Sequence, residues 1–91
     1  MHIRLNRPYK IVSYMEDKYI DHYAIPSSKC LIVPIKNFGD EALCDVRWQD
    51  DSGEMNLRQN TMFSISNLVP LERLRDFDLF EIYKHYCQAQ P

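Results

Sequence analysis

The chain has 91 residues, of which 45% are hydrophobic, 26% charged and 12% aromatic, and its formal net charge is −2. This apolar fraction excludes intrinsic disorder, and a content of two glycines and five prolines excludes a low-complexity or collagen-like chain. We therefore expect one folded domain over residues 1–91, with a core thin enough that each large apolar side chain matters.

The cysteines and the N-terminal residues predict a soluble cytoplasmic protein. Cys30, Cys44 and Cys87 are an odd number without a close pair, unlike the dense, even sets of small secreted domains. Residues 1–7 carry charges where a signal peptide needs an apolar run, and no stretch approaches the ~20 apolar residues that cross a bilayer. We expect reduced thiols and no membrane association.

The first third of the chain predicts a strand followed by a long connection. Residues 9–14 have the β-branched and aromatic content of a strand. Residues 15–28 are polar and rich in tyrosine, and they end at Pro26, Ser27 and Ser28. This segment is typical of a long loop or an irregular hairpin.

A hairpin is predicted over residues 30–48, with a turn at 37–40. If Asn37 faces Asp40 across the turn, the two-residue period of the strands puts one apolar set on a single face. That set is Leu31, Val33, Ile35, Ala42, Cys44 and Val46. The same register separates Cys30 from Cys44, on opposite faces.

A second hairpin turn is predicted at residues 50–53, where Gly53 can adopt positive φ. Trp48 then faces Met55 and Val46 faces Leu57, which extends the apolar face and makes Trp48 part of the core. On the other face, Asp45 is expected to face Arg58. A short strand over 62–65 and the segment 67–71 follow.

The C-terminal stretch changes to helical periodicity. Leu79, Ile82, Tyr83 and Tyr86 fall at i, i+3, i+4 and i+7, which is one stripe of a helix of roughly 8–12 residues. Asp78 followed by Glu81 fits a capping box at its start. Such a short helix depends on docking its stripe rather than on propensity.

The order strand, long loop, three-strand meander and short strand resembles an SH3-like barrel. Residues 46–53, followed by Phe63 and by 68–71, are similar to the central hairpin and closing turn of Tudor, chromo-barrel and KOW modules. The chain lacks the Ala-Leu-Tyr-Asp-Tyr segment of signalling SH3 domains, and it lacks the basic surface and early glycine of KOW modules. The resemblance implies a mostly β fold, an SH3-like antiparallel barrel over 9–71, with a C-terminal α-helix within the extension 72–91.

The sequence predicts no metal, no cofactor and no catalytic residue. The candidate ligands or nucleophiles show no metal-binding spacing; they are His22, Cys30, Cys44, His85 and Cys87. Both glycines, and the acidic pair Asp50 and Asp51, are explained by turns. A small enzyme is the third alternative, and it would need a histidine within hydrogen-bonding reach of a thiol.

The tyrosine-rich loop is the candidate binding site, and it points to a non-enzymatic protein- or peptide-interaction module. Its relevant side chains are Tyr14, Glu16, Asp17, Tyr19, Asp21 and Tyr23. Aromatic faces beside carboxylates suit a cationic or methyl-lysine ligand, and the same loop in SH3 domains helps to bind proline-rich peptides. We expect Tyr14, Tyr19, Asp21 and Tyr23 to make the contacts. In the alternative, the tyrosine rings cover one end of the barrel.

Two other partners stay open. A nucleic acid could bind Arg4, Arg7 and Lys10 together with a stacking aromatic, although the net charge disfavours it. A second copy of the chain could bind the C-terminal helix, because Phe80 and Cys87 lie off the docking stripe. In size and in lacking motifs, the chain is similar to small bacterial and phage proteins.

Overall fold

A computed structural model gives the fold, and the structure describes residues 3–11 and 30–88. The fold is mostly β with one C-terminal helix, as the sequence predicts. The elements in chain order are β1 (Tyr9–Ile11), β2 (Leu31–Phe38), β3 (Glu41–Gln49), β4 (Met55–Ser64), a one-turn 3-10 helix (Ile65–Asn67), β5 (Leu68–Pro70) and α1 (Phe77–Gln88).

The five strands form one antiparallel sheet in the order β4-β3-β2-β1-β5. The short strand β1 lies between β2 and β5, so that Tyr9 faces Ile32 on one side and Pro70 on the other. The sheet is open, with β4 and β5 as its two edges within the described residues. Closure into a barrel stays a prediction.

The predicted register of the first hairpin is wrong by two residues beside the turn and by one residue farther from it. Ile32 faces Val46 and Pro34 faces Cys44, whereas beyond the interruption Lys36 faces Leu43. Ile35 is the extra residue between these pairings, which makes a β-bulge. The register is wrong because the turn lies between Phe38 and Glu41, which face each other, and not between Asn37 and Asp40. The bulge then reduces the error from two residues to one.

The second hairpin is also shifted. Trp48 faces Asn56 rather than Met55, and a further irregularity lies where β4 passes Asp45. There Asn60 adopts φ 59°, a left-handed conformation that asparagine tolerates better than most residues. The short strand predicted at 62–65 is the end of the ten-residue β4.

Ala42, Cys44 and Val46 lie in the main core as predicted, on the face of the sheet that we call the inner face. The shifted register moves Leu31 and Val33 to the other face and places Ile32 beside Val46 instead. The buried side chains of the inner face are Tyr9, Ile11, Cys30, Ile32, Ala42, Cys44, Val46, Phe63, Ile65 and Leu68. Trp48 packs against this cluster while partly exposed. Cys30 and Cys44 therefore share a face, contrary to the prediction. Ile35 and Leu57, predicted to be core residues, are exposed.

The other side of the sheet, the helix face, is covered by α1. Leu79, Ile82 and Tyr86 pack on Leu31 and Val33, as the predicted stripe requires. Met55, Leu71 and Tyr83 are partly buried against the same cluster. The first half of β2 is consequently buried from both sides.

The start of α1 differs from the predicted capping box. Asp78 lies within the first turn of the helix, and Glu81 pairs with Lys84 at 3.2 Å. The residue before the helix is the buried Asp76, whose carboxylate accepts hydrogen bonds from the Lys10 ammonium at 2.9 Å and from the Glu72 backbone N–H. Asp76 thereby links the helix start to β1.

The turn between β3 and β4 is organised by Asp50. Its Oδ1 accepts from the backbone N–H of Ser52 at 3.0 Å and of Glu54 at 2.9 Å, and its Oδ2 accepts from Asn56 Nδ2 at 3.0 Å. Hydrogen bonds from the Ser52 and Asn56 side chains are the main reason that the pKa of Asp50 falls to about 2. The predicted structural role of this aspartate is thus observed.

Candidate functional site

The four predicted contact residues, Tyr14, Tyr19, Asp21 and Tyr23, lie outside the described residues. The two ends of this connection are described: Ile11 closes β1 and Cys30 precedes β2, and both side chains are buried on the inner face. The contacts expected of the tyrosines stay a prediction.

An apolar surface that the sequence did not indicate lies on the helix face beyond the reach of α1. Leu43 and Met62 face each other across β3 and β4, and Phe38 lies on the same face on β2, opposite Glu41. Phe38 is 49% exposed and Met62 44%, while Leu43 is half-buried. We call Phe38, Leu43 and Met62 the hairpin strip.

The helix α1 does not cover the hairpin strip, because it packs on the other end of the strands. Residues of α1 pack on Leu31 and Val33, at the start of β2, whereas Phe38 is its last residue. The Lys36 ammonium lies 5.1 Å from the centroid of the Phe38 ring, a cation–π contact at the surface. The strip therefore combines an apolar surface with an aromatic ring, Phe38, that makes a cation–π contact.

A depression of about 410 Å³ adjoins the end of the strip. Its lining residues are Gly39, Asp40, Ser64, Ile65 and Ser66. The backbone N–H of Ile65 donates to the Asp40 carbonyl at 2.9 Å, which fixes the 3-10 helix against the β2–β3 turn. Hydroxyl groups and the carboxylate of Asp40 give this depression hydrogen-bonding capacity beside the apolar strip.

The predicted basic patch has less free charge than the sequence indicated. Lys10 makes an ion pair with Asp76, whose side chain is almost fully buried. Arg4 and Arg7 are exposed. Of the three cations predicted to bind phosphate, one is therefore already neutralised.

Cys30 and Cys44, the two thiols on the inner face, are buried core side chains. Burial raises the pKa of Cys30 to about 12, and burial together with the nearby Asp45 carboxylate raises the pKa of Cys44 to about 12. Protonated thiols are poor nucleophiles and poor metal ligands. Neither cysteine forms a disulfide.

The remaining candidates for metal binding are His22, His85 and Cys87. Cys87 and His85 are both exposed on α1, and His22 lies outside the described residues. Across residues 3–11 and 30–88, no three side chains of His, Cys, Asp or Glu are grouped so as to hold a metal ion. Within those same ranges, no helix has the length and apolar character needed to cross a membrane.

Sequence patterning missed the hairpin strip because the predicted register gave these residues no common face. Phe38 was assigned to the turn, and Met62 to a separate short strand. Phe38, Leu43 and Met62 share a face because Phe38 pairs with Glu41 and Leu43 pairs with Met62, a register that the predicted turn position did not give. Comparison with protein-family models, curated proteins and solved structures finds no match to the chain.

Proposed function

We propose that this chain is a non-enzymatic interaction module that binds a protein or peptide segment carrying apolar and basic side chains. The observation that carries the proposal is the hairpin strip, in which Phe38 and Met62 stay exposed beside Leu43. Apolar side chains grouped on a small protein's surface are characteristic of contact surfaces. Asp40 and Glu41, exposed at the same end of the hairpin, favour a partner with positive charge.

The predicted loop residues Tyr14, Tyr19, Asp21 and Tyr23 extend this proposal with further rings and a further carboxylate. We also propose that the sheet belongs to the SH3-like class and that the protein acts in the cytoplasm. The strand order β4-β3-β2-β1-β5 supports the class, because closure of this sheet into a barrel would need only its edge strands, β4 and β5, to pair.

The proposal is tested by selecting ligands from a random-peptide display library and measuring their affinity for designed variants. We expect enriched peptides to bear apolar and basic residues, and Phe38→Ser with Met62→Ser to weaken their binding at least tenfold. Tyr19→Ala with Tyr23→Ala tests the loop in the same way. Phe77→Ser, which removes a still more exposed ring from α1, is the control.

The nucleic-acid alternative predicts a different result. Binding to phosphates weakens steeply as salt rises, whereas binding through apolar and aromatic contacts changes much less. An electrophoretic shift with single- or double-stranded probes at low salt would contradict the proposal, and so would peptide binding that is unchanged in both double variants.

A further inference from the structure

The helix α1 has a second apolar surface, opposite to the stripe that docks on the sheet. Phe77 is 64% exposed, and Phe80 is half-buried with the Arg73 guanidinium carbon 5.9 Å from its ring centroid. Leu74, in the turn before the helix, is 99% exposed. Aromatic side chains exposed to solvent do not stabilise the fold of a small domain, so this surface suits an intermolecular contact.

The residues of this outer face are arranged by the helical repeat of about 100° per residue. Phe77, Phe80, Lys84 and Cys87 fall within one sector of the helix, away from the buried Leu79. Asp78, Glu81 and His85 form the flank beside that sector. The outer face thus has a mainly apolar side that includes the charge of Lys84, and a charged flank beside it.

The charges are also ordered along the helix axis. Asp78 and Glu81 lie in the first half of α1, and Lys84 and His85 lie in the second half, all of them exposed. An antiparallel copy of the same helix would set each acidic half against a basic half, whereas a parallel copy would set like charges together. The outer face is therefore complementary to itself in one orientation.

We propose that the outer face of α1 binds the same face of a second copy of this chain in antiparallel orientation. A twofold axis near the middle of the helix brings Glu81 opposite the other copy's Lys84 and Asp78 opposite its His85. On the apolar side, Phe80 then lies near the other copy's Cys87. The contact closes on itself as a dimer and does not use the hairpin strip.

The proposed interface is small, and we therefore expect the dimer to be weak. A helix of 12 residues is about 18 Å long, and two such helices with Leu74 at their ends give an interface at the small end of specific ones. We expect a dissociation constant on the order of 10–100 µM.

Sedimentation equilibrium on the full chain, from about 10 µM to about 1 mM, tests the proposal directly. We expect the weight-average mass to rise from monomer towards dimer across this range. Phe77→Glu should raise the dissociation constant at least tenfold, whereas Met62→Glu, which makes the same change on the hairpin strip, should leave it unchanged. A wild-type protein that is monomeric at about 1 mM overturns the proposal.

Charge exchange tests the orientation. Glu81→Lys should weaken the dimer, and adding Lys84→Glu should restore it, since the pair would then form with reversed signs. Circular dichroism on each variant shows whether the helix is intact, because Glu81 and Lys84 also pair within one chain. A double variant that dimerises no better than Glu81→Lys contradicts the antiparallel arrangement.

The native thiol gives an independent check of orientation. In the antiparallel dimer the two Cys87 side chains are about 14 Å apart along the helix axes, too far for a disulfide. Mild oxidation should therefore leave the dimer without a covalent link, whereas rapid disulfide formation through Cys87 would indicate parallel helices and overturn the proposal.

Discussion

Asp76 is a single carboxylate that connects elements distant in sequence, β1 and the start of α1. Asp76 joins β1, the turn at Glu72 and the start of α1 through its two oxygens. Burial raises the pKa of Asp76. Hydrogen bonds from Lys10 and the Glu72 N–H, with the positive charges of Lys10 and Arg75, lower the pKa by more than burial raises it, so the net shift is downward. The carboxylate is therefore ionised and bonded in the folded protein.

Replacing Asp76 by alanine should lower the free energy of unfolding by about 1–3 kcal/mol, because the backbone N–H of Glu72 and the Lys10 ammonium lose their hydrogen-bond acceptor. Urea unfolding followed by the fluorescence of Trp48, the single tryptophan, measures this change. Asp78→Ala is the control, since Asp78 is exposed in the first turn of the same helix. Equal effects of the two substitutions would show that Asp76 acts only as a helix-terminal charge.

At the scale of elements, the bulges in β2 and β4 determine which side chains face inwards. Apolar alternation assigns a strand to a face only when one of its faces is polar. Residues 30–34 are buried without interruption, so the pattern fits either register equally well. The existence of the meander followed from its turn residues. Its register depended on the residue at which each turn begins and on the bulges, and neither has a comparably strong signature.

The helix was more predictable than the strands for a physical reason. A stripe of period 3.6 fixes the buried side regardless of the partner, and Leu79, Ile82 and Tyr86 are buried as expected. Its capping was not predictable, because Asp76 bonds to Lys10, a residue distant in sequence. The hairpin strip was missed for the same reason, since its members come from three strands.

The β4 bulge offers a direct test at Asn60, which has positive φ. Asn60→Val should destabilise the protein by about 1–2 kcal/mol, because a β-branched side chain clashes with the backbone in this conformation. Asn60→Gly should be close to neutral, since glycine adopts positive φ without strain. Thermal unfolding of the two variants, with Gln59→Val as a neighbouring control, measures the difference. An Asn60→Val variant as stable as Asn60→Gly would mean that the bulge moves easily.

At the scale of the whole molecule, one sheet carries two apolar faces, and within residues 3–11 and 30–88 the second face is covered by α1. The inner face has ten buried side chains, but the helix face has Leu31 and Val33 beneath three helix residues. The Arg47 guanidinium carbon, 4.0 Å from the centroid of the Tyr86 ring, adds a cation–π contact to this layer. The helix is therefore part of the fold rather than an appendage to it.

Ile82→Ala should lower the free energy of unfolding by about 2–5 kcal/mol, a large share of the ~5–15 kcal/mol expected for a whole domain. Phe77→Ala, on the exposed side of the same helix, should change it by less than about 0.5 kcal/mol at concentrations where the chain is monomeric. Chemical denaturation of both variants at low micromolar concentration makes the comparison. If Ile82→Ala unfolds no more readily than Phe77→Ala, the helix contributes little to stability.

The pairing of β1 with β5 sets a limit on how the chain can fold during synthesis. Tyr9 faces Pro70 in the folded sheet, so β1 cannot form its hydrogen bonds with β5 until β5 has been synthesised. Contacts this distant in sequence close slowly, because the entropy of the intervening loop is lost before the contact is made. On the ribosome, the β2–β3–β4 meander can assemble as soon as it emerges, whereas β1 completes its pairing only after β5 has left the exit tunnel.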